Sequence, residues 1–370
     1  MRMHHSPMGT RPALPDPTEV RPFATPRDDL VAWICGVWMV VGLFLDGWAH
    51  RHQKPETFFT PWHGVLYSGF TAAAVWMLYV VRHHQRPGVS IRKTIPIGYG
   101  FRTIGVLIFG LGAIADLLWH ELLGIEQNIE ALLSPTHITL LTGGLLMAIG
   151  PIVSTFARED ARPEGQQPRW GSTGPIVGAI VFIVAVLQFF LMYVSPYNRG
   201  TYTRGAIRSA GTYGGGWLQE ELQIEGIAAI FLFTFITVCA LLYLVRRVAI
   251  PRGAFAVLFI TPAVLQTLLT SFHTAPRLLG VIGAAGLAEF TWPMVSRRRR
   301  LHTVLPLWVF ALVTLTWFGL FLGIYAGESP LGWTAPLWAG VPIFAGLLAA
   351  LLSAATESAG SQPPTYAGKI

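Results

Sequence analysis

Ten stretches of about twenty mostly apolar residues run through this chain, at roughly 30–50, 62–82, 100–123, 135–156, 174–194, 222–245, 254–273, 278–296, 303–325 and 335–355. Twenty residues of helix reach about 30 Å, the hydrocarbon thickness of a bilayer. Inside hydrocarbon the backbone finds no water, so each stretch must close its hydrogen bonds internally as a helix. The sequence therefore predicts an all-α polytopic membrane protein of about ten transmembrane helices. The seventh and eighth stretches are joined by only a few residues near Pro276, the weakest of these boundaries.

Composition agrees. The chain is 52% hydrophobic and 12% charged, whereas a soluble domain is about 25% charged. The net charge of +7 does not point to nucleic acid, because the cations sit in short clusters between apolar runs, as membrane-flanking loops do. The lipid bilayer is the expected partner. Cys35 and Cys239 both fall inside apolar runs and form no CxxC, so they read as small core residues. Residues 1–28 are polar and rich in Pro and Arg, which predicts a disordered cytoplasmic tail and an uncleaved first helix. Residues 357–370 read as a second disordered tail.

Lys and Arg set the expected orientation. Arg11, Arg21 and Arg27 precede the first span, and Arg82, Arg86, Arg92 and Lys93 follow the second. Arg158, Arg162 and Arg169 follow the fourth, Arg246, Arg247 and Arg252 the sixth, and Arg297, Arg298, Arg299 and Arg300 the eighth. With ten spans all of these share one face, which places that face and both termini in the cytoplasm, of a bacterial plasma membrane. Arg199, Arg204 and Arg208 in the fifth-to-sixth loop oppose the trend.

Residues 29–157 contain a tandem repeat of a two-helix unit, 29–86 and 98–157, with six further spans in 170–356. The first unit reads Asp46-Gly-Trp-Ala-His50, then Glu56, then Thr60-Pro61-Trp62-His63. The second reads Asp116-Leu-Leu-Trp-His120, then Glu126, then Ser134-Pro135-Thr136-His137. Ser68-Gly69 aligns with Thr142-Gly143 beyond the last His. Residues at i and i+4 share a helix face, so each Asp and its first His project together. A hydroxyl residue before Pro suits an N-cap followed by the first helical position. That puts His63 and His137 in the first turn of the returning helix, beside the end of the preceding one. Each unit can thus gather a carboxylate and two imidazoles at the outer membrane boundary.

Ionisable groups at membrane depth have partners or a function, and imidazoles with a carboxylate suit copper, zinc or iron. The plainer alternative is a set of interfacial residues bonded across each hairpin. Repetition of the three-residue pattern favours metal binding.

These hairpins resemble the copper motif in the C subunit of particulate methane monooxygenase and ammonia monooxygenase. In that family an Asp, a His four residues on and a second His thirteen further on, after Thr-Pro, hold copper. Asp46, His50 and His63 keep that spacing, with Gly47 and Thr60-Pro61 around it; Asp116, His120 and His137 keep the pattern with a longer loop. The resemblance covers about twenty residues per hairpin. The family's subunit has fewer spans, a single such motif, and partner subunits, one with a soluble copper-binding domain that has no counterpart here. It therefore implies a copper site more strongly than oxidation of an alkane or ammonia.

Other polar residues are weighed against this pair of sites. Glu56 and Glu126 can add ligands or orient imidazoles, and His52 has no counterpart in the second unit. Glu225 and His273 fall on the same face and can approach the hairpins; Glu220 and Glu221 read as acids at a helix start. Glu289, within the eighth span, reads as a buried partner of an unidentified group. Met1, Met3, His4, His5 and Met8, like His83 and His84, are expected to be solvated on the inner side. Tyr193 and Tyr197 read either as aromatic-belt residues or as redox-active phenols.

The leading expectation is a copper-binding membrane protein with monooxygenase-like sites, separate or merged into one dinuclear centre, acting on a small apolar substrate. It would need an electron donor, a quinol or another protein, and partner membrane subunits or a homo-oligomer are compatible. The alternatives are a copper or zinc carrier or transporter, a zinc hydrolase with Glu56 or Glu126 as general base, and a haem between His63 and His137.

Overall fold

A computed structural model describes residues 21–54, 59–124, 129–160, 170–296 and 301–358. Ten long helices make up its frame: α1 (Pro26–Arg51), α2 (Pro61–His83), α3 (Tyr99–Leu123), α4 (Pro135–Asp160), α5 (Trp170–Phe190), α6 (Arg204–Arg247), α7 (Ala254–Leu268), α8 (Leu279–Val295), α9 (Leu301–Gly327) and α10 (Ala335–Ser358). Among the described residues there is no β-sheet, only an isolated bridge between Thr203 and Leu331. Nine stretches among the described residues are long and apolar enough to cross a membrane, α8 together with the 3-10 turn Ala275–Leu278 before it. This is an all-α polytopic membrane architecture.

Helix α7 differs from the expected seventh span. It has 15 residues, about 22 Å of helix. Beyond Leu268 the chain turns, with Ser271 and Phe272 at positive φ. The segment still reaches from end to end of the bundle. The N–H of Trp170, on the indole at the start of α5, bonds the carbonyl of Arg252, while Ser271 accepts from the indole of Trp48 near the end of α1. Glu289 explains the start of α7: its carboxylate accepts from the backbone N–H groups of Gly253 (3.0 Å), Phe255 (2.9 Å) and Ala256 (3.3 Å). These are donors that a helix N-terminus leaves unpaired. Helix α6 also begins earlier than expected. Its first part, from Arg204, is separated from the membrane-length part by Gly215 at φ 72°.

The first four helices form a ring. α1 packs on α2 and α3 on α4, α2 meets α3, and α4 meets α1, with α5 covering the seam between α1 and α4. The same close contacts recur in both helix pairs. A Cβ on Gly69 would lie 3.0 Å from the backbone nitrogen of Met39, and one on Gly143 would lie 2.6 Å from that of Phe109. Gly42 abuts Leu66 as Gly112 abuts Leu140. Residues 39, 42, 66 and 69 therefore stand to each other as 109, 112, 140 and 143 do. Small residues at these crossings let each helix pair close tightly, which membrane packing favours. The remaining helices share one large apolar core, with Phe233, Phe255, Leu258 and Phe321 at its centre.

At the end of the ring away from the Asp-His motifs, Thr25 and Asp28 form a reciprocal cap on α1 (Asp28 N–H to Thr25 Oγ1 3.1 Å, Thr25 N–H to Asp28 Oδ2 2.8 Å). Asp29 beside it is fully buried. It pairs with Arg158 at the end of α4 (2.5 Å) and accepts from the phenol of Tyr99 (2.9 Å). The segment before α1 is tied to the segment leading into α3 by Arg21, whose guanidinium donates to the carbonyls of Ile95 and Pro96.

Candidate metal centre

The hydroxyl-Pro sequences start their helices as the spacing predicts. Thr60 and Ser134 precede Pro61 and Pro135, the first residues of α2 and α4. The Thr60 hydroxyl makes no capping bond; it lies 3.1 Å from Nδ1 of His63. Ser134 Oγ likewise lies 2.8 Å from Nδ1 of His137. In both units the hydroxyl takes one ring nitrogen and leaves Nε2 to face the carboxylate.

Around Asp46, Nε2 of His63 stands at 3.2 Å and Nε2 of His50 at 3.6 Å. Around Asp116, Nε2 of His137 stands at 3.4 Å and Nε2 of His120 at 3.6 Å. Each trio offers one donor atom per residue, all within 4.8 Å of one another. Charge-assisted N–H···O bonds favour about 2.7–2.9 Å. Donors on a tetrahedral ion with bonds of about 2.1 Å sit roughly 3.4 Å apart. Separations of 3.2–3.6 Å suit co-ligands of one ion as well as imidazole–carboxylate ion pairs, and each trio has the donor set and spacing to hold a metal ion.

The units are neighbours. Ring centroids are 6.2 Å apart for His50–His63, 6.4 Å for His63–His120 and 5.8 Å for His120–His137. Four imidazoles therefore form one continuous row across the two hairpins. Two residues that spacing alone did not single out tie the row together. Tyr67, one turn beyond His63 on α2, donates its phenol to Asp116 Oδ2 at 2.9 Å. Thr136 donates to Asp116 Oδ1 at 2.9 Å. Tyr67 was findable as the i+4 neighbour of His63; its reach to the other hairpin depends on how α2 crosses α3. Thr136 has Trp62 in its place in the first unit, so the two sites are not equivalent.

A cavity of about 80 Å³ adjoins both units. Asp46, His50, His63, Tyr67, Asp116 and His137 form its polar end, and the rest is apolar, from Met39, Leu43, Phe109, Phe182 and Phe189 among others. That volume exceeds what one water needs. Tyr193 lines it as well. Tyr197 instead packs against Phe233 and Trp317, where burial pushes its phenol up from the ordinary value.

The other candidates lie elsewhere. His52 bonds the Trp48 carbonyl (2.8 Å) and Ser271 (3.2 Å) on the α7 side. Glu225 pairs with Arg199 at 3.3 Å. His273 bonds the carbonyl of Thr270 and is exposed. Glu56 and Glu126 lie outside the described residues, as do Met1, Met3, His4, His5 and Met8. Comparison with protein-family models, with curated proteins and with solved structures gives no match.

Proposed function

We propose that this chain is a membrane metalloprotein in which Asp46, His50 and His63 hold one ion and Asp116, His120 and His137 a second, with copper as the metal and a small apolar molecule as the substrate. The observation that carries the reading is the donor spacing, repeated in two units: Nε2 atoms 3.2–3.6 Å from a shared carboxylate. Imidazole and carboxylate donors suit copper, with zinc and iron as the alternatives; the spacing of the first unit resembles the methane and ammonia monooxygenase copper motif.

Bound copper would supply the redox chemistry that an oxygen-dependent hydroxylation requires. The chain's own residues do the rest. The Thr60 and Ser134 hydroxyls hold His63 and His137 with Nε2 facing the carboxylates. With three protein ligands each, an ion held there would keep a coordination position for a reactant, as catalytic sites do. The apolar walls of the adjoining cavity exclude water and admit a small apolar substrate from the bilayer. Tyr67 and Thr136 fix Asp116. Electrons come from a donor such as a quinol or a partner protein. The arginine distribution supports placing this end of the bundle outside the cytoplasm.

The test is metal analysis and EPR on purified protein beside a variant with His50→Ala and His120→Ala. Copper present in the parent and lost in the variant supports the reading. Protein that refuses copper, zinc and iron rejects it. Zinc alone would turn the proposal to hydrolysis, and copper without oxygen-dependent turnover would turn it to a carrier.

A further inference from the structure

A second buried polar site lies toward the other end of the ring, apart from both Asp-His-His units. Arg102 sits in the first turn of α3 and is 3% exposed. One guanidinium nitrogen, Nη1, donates to the carbonyl of Met147 at 3.3 Å. That carbonyl is available because Pro151, four residues on in α4, has no N–H to offer it. The other two nitrogens, Nε and Nη2, are buried and have no acceptor.

Among the described residues the carboxylate whose charge acts on Arg102 is Asp29, and it is held by Arg158 and Tyr99. Arg102 instead borders a cavity of about 30 Å³ between α1, α3, α4 and α5. The remaining wall includes Ala32, Gly36, Met147, Pro151, Pro175 and Phe182, with no carboxylate in it. The start of α3 adds the positive end of a helix dipole to the same region. A buried cation without a partner is strongly disfavoured, and ionisable residues at membrane depth have partners or a function.

We infer that the Arg102 cavity binds one small monovalent anion of the halide class. Its volume holds one or two water-sized particles, which excludes a phosphate group or a lipid headgroup. Its apolar walls select a weakly hydrated ion over a strongly hydrated one. The Arg102 guanidinium at the edge of the cavity supplies N–H donors without a protein acceptor and the balancing charge. Position 32, which matches 102 in the other repeat, carries Ala and lines the same cavity. The duplicated position thus provides an anchor in one copy and room in the other. This inference uses neither Asp-His-His unit, so it stands or falls apart from the metal reading.

The experiment uses full-length protein in detergent or nanodiscs. Its melting temperature is followed while sodium chloride or bromide replaces sodium gluconate at constant ionic strength. The expected result is a saturable rise of several degrees with either halide, absent in Arg102→Met and weakened in Arg102→Lys. Crystals grown in bromide should show an anomalous peak beside Nε and Nη2 in the parent protein. That measurement decides the matter even where Arg102→Met fails to fold. A melting temperature that responds alike to gluconate and chloride, or bromide crystals with only water beside Arg102, overturns the inference.

Discussion

The ring of His63 lies 6.4 Å from the ring of His120, although the two residues belong to different hairpins. Ions held by these imidazoles would be close enough to interact magnetically. Copper-loaded protein should bind two ions per chain and give an EPR signal broadened by dipolar coupling. Emptying one unit with His50→Ala should halve the copper and sharpen what remains. Two sharp, independent signals in the parent would show that the sites do not communicate.

The Nδ1 contacts from Thr60 and Ser134 should tune affinity without creating it. Groups that orient ligating imidazoles typically contribute about 10- to 100-fold to metal binding. Thr60→Val should weaken the first unit by that order, read by chelator competition, with little change in folding because Thr60 does not cap its helix. Ser134→Ala should weaken the second unit and also cost about 1 kcal/mol of stability, since Ser134 Oγ accepts from the N–H of His137.

Much of this centre was legible in the sequence because it is local. Asp46 with His50 and Asp116 with His120 need only helical periodicity, and Pro61 and Pro135 open their helices at the first position, which suits proline. The repeat is legible for the same reason. What crosses between hairpins was not. The phenol of Tyr67 reaching Asp116, and Arg102 facing a cavity beside Ala32, depend on helix packing that no spacing encodes. The short α7 was hidden because Leu269 and Phe272 extend the apolar pattern past Leu268, where the helix stops. Glu289 was noticed as a buried acid, but its partners are backbone N–H groups, which carry no sequence signal.

Tyr67→Phe separates the two units. It removes the hydrogen bond to Asp116 Oδ2 and leaves the ring in place. Loss of a hydrogen bond to a charged group costs about 1.5–3 kcal/mol, so the melting temperature of metal-free protein should fall. In a two-site copper titration, affinity should change at the second unit, while the Asp46 unit keeps its own. An equal change at both would mean that Tyr67 acts on the cavity as a whole.

The helix crossings offer a test of the repeat. Gly143→Val should place two methyl groups where α4 meets the backbone of Phe109. Overpacking of that kind costs about 1–3 kcal/mol. Gly69→Val should behave similarly against Met39. Gly64→Ala, at a position with open space around it, should be neutral. Thermal unfolding of the three variants checks the ordering.

The far end of the ring depends on the pair of Asp29 and Arg158. Asp29 is wholly buried, and its side-chain partners include Arg158, the phenol of Tyr99 and Ser154. Arg158→Met would leave a carboxylate away from water without its cation. Breaking a buried pair on one side costs about 3–5 kcal/mol, whereas replacing both partners with apolar residues is often close to neutral. The single variant should therefore melt far below the parent, and the double variant Asp29→Leu with Arg158→Met should recover much of the loss. Metal content should stay unchanged in both when the protein is folded, because neither residue reaches the Asp-His-His units. A double variant as unstable as the single one would mean that the pair specifies how α1 docks on α4, and is more than a neutralised charge.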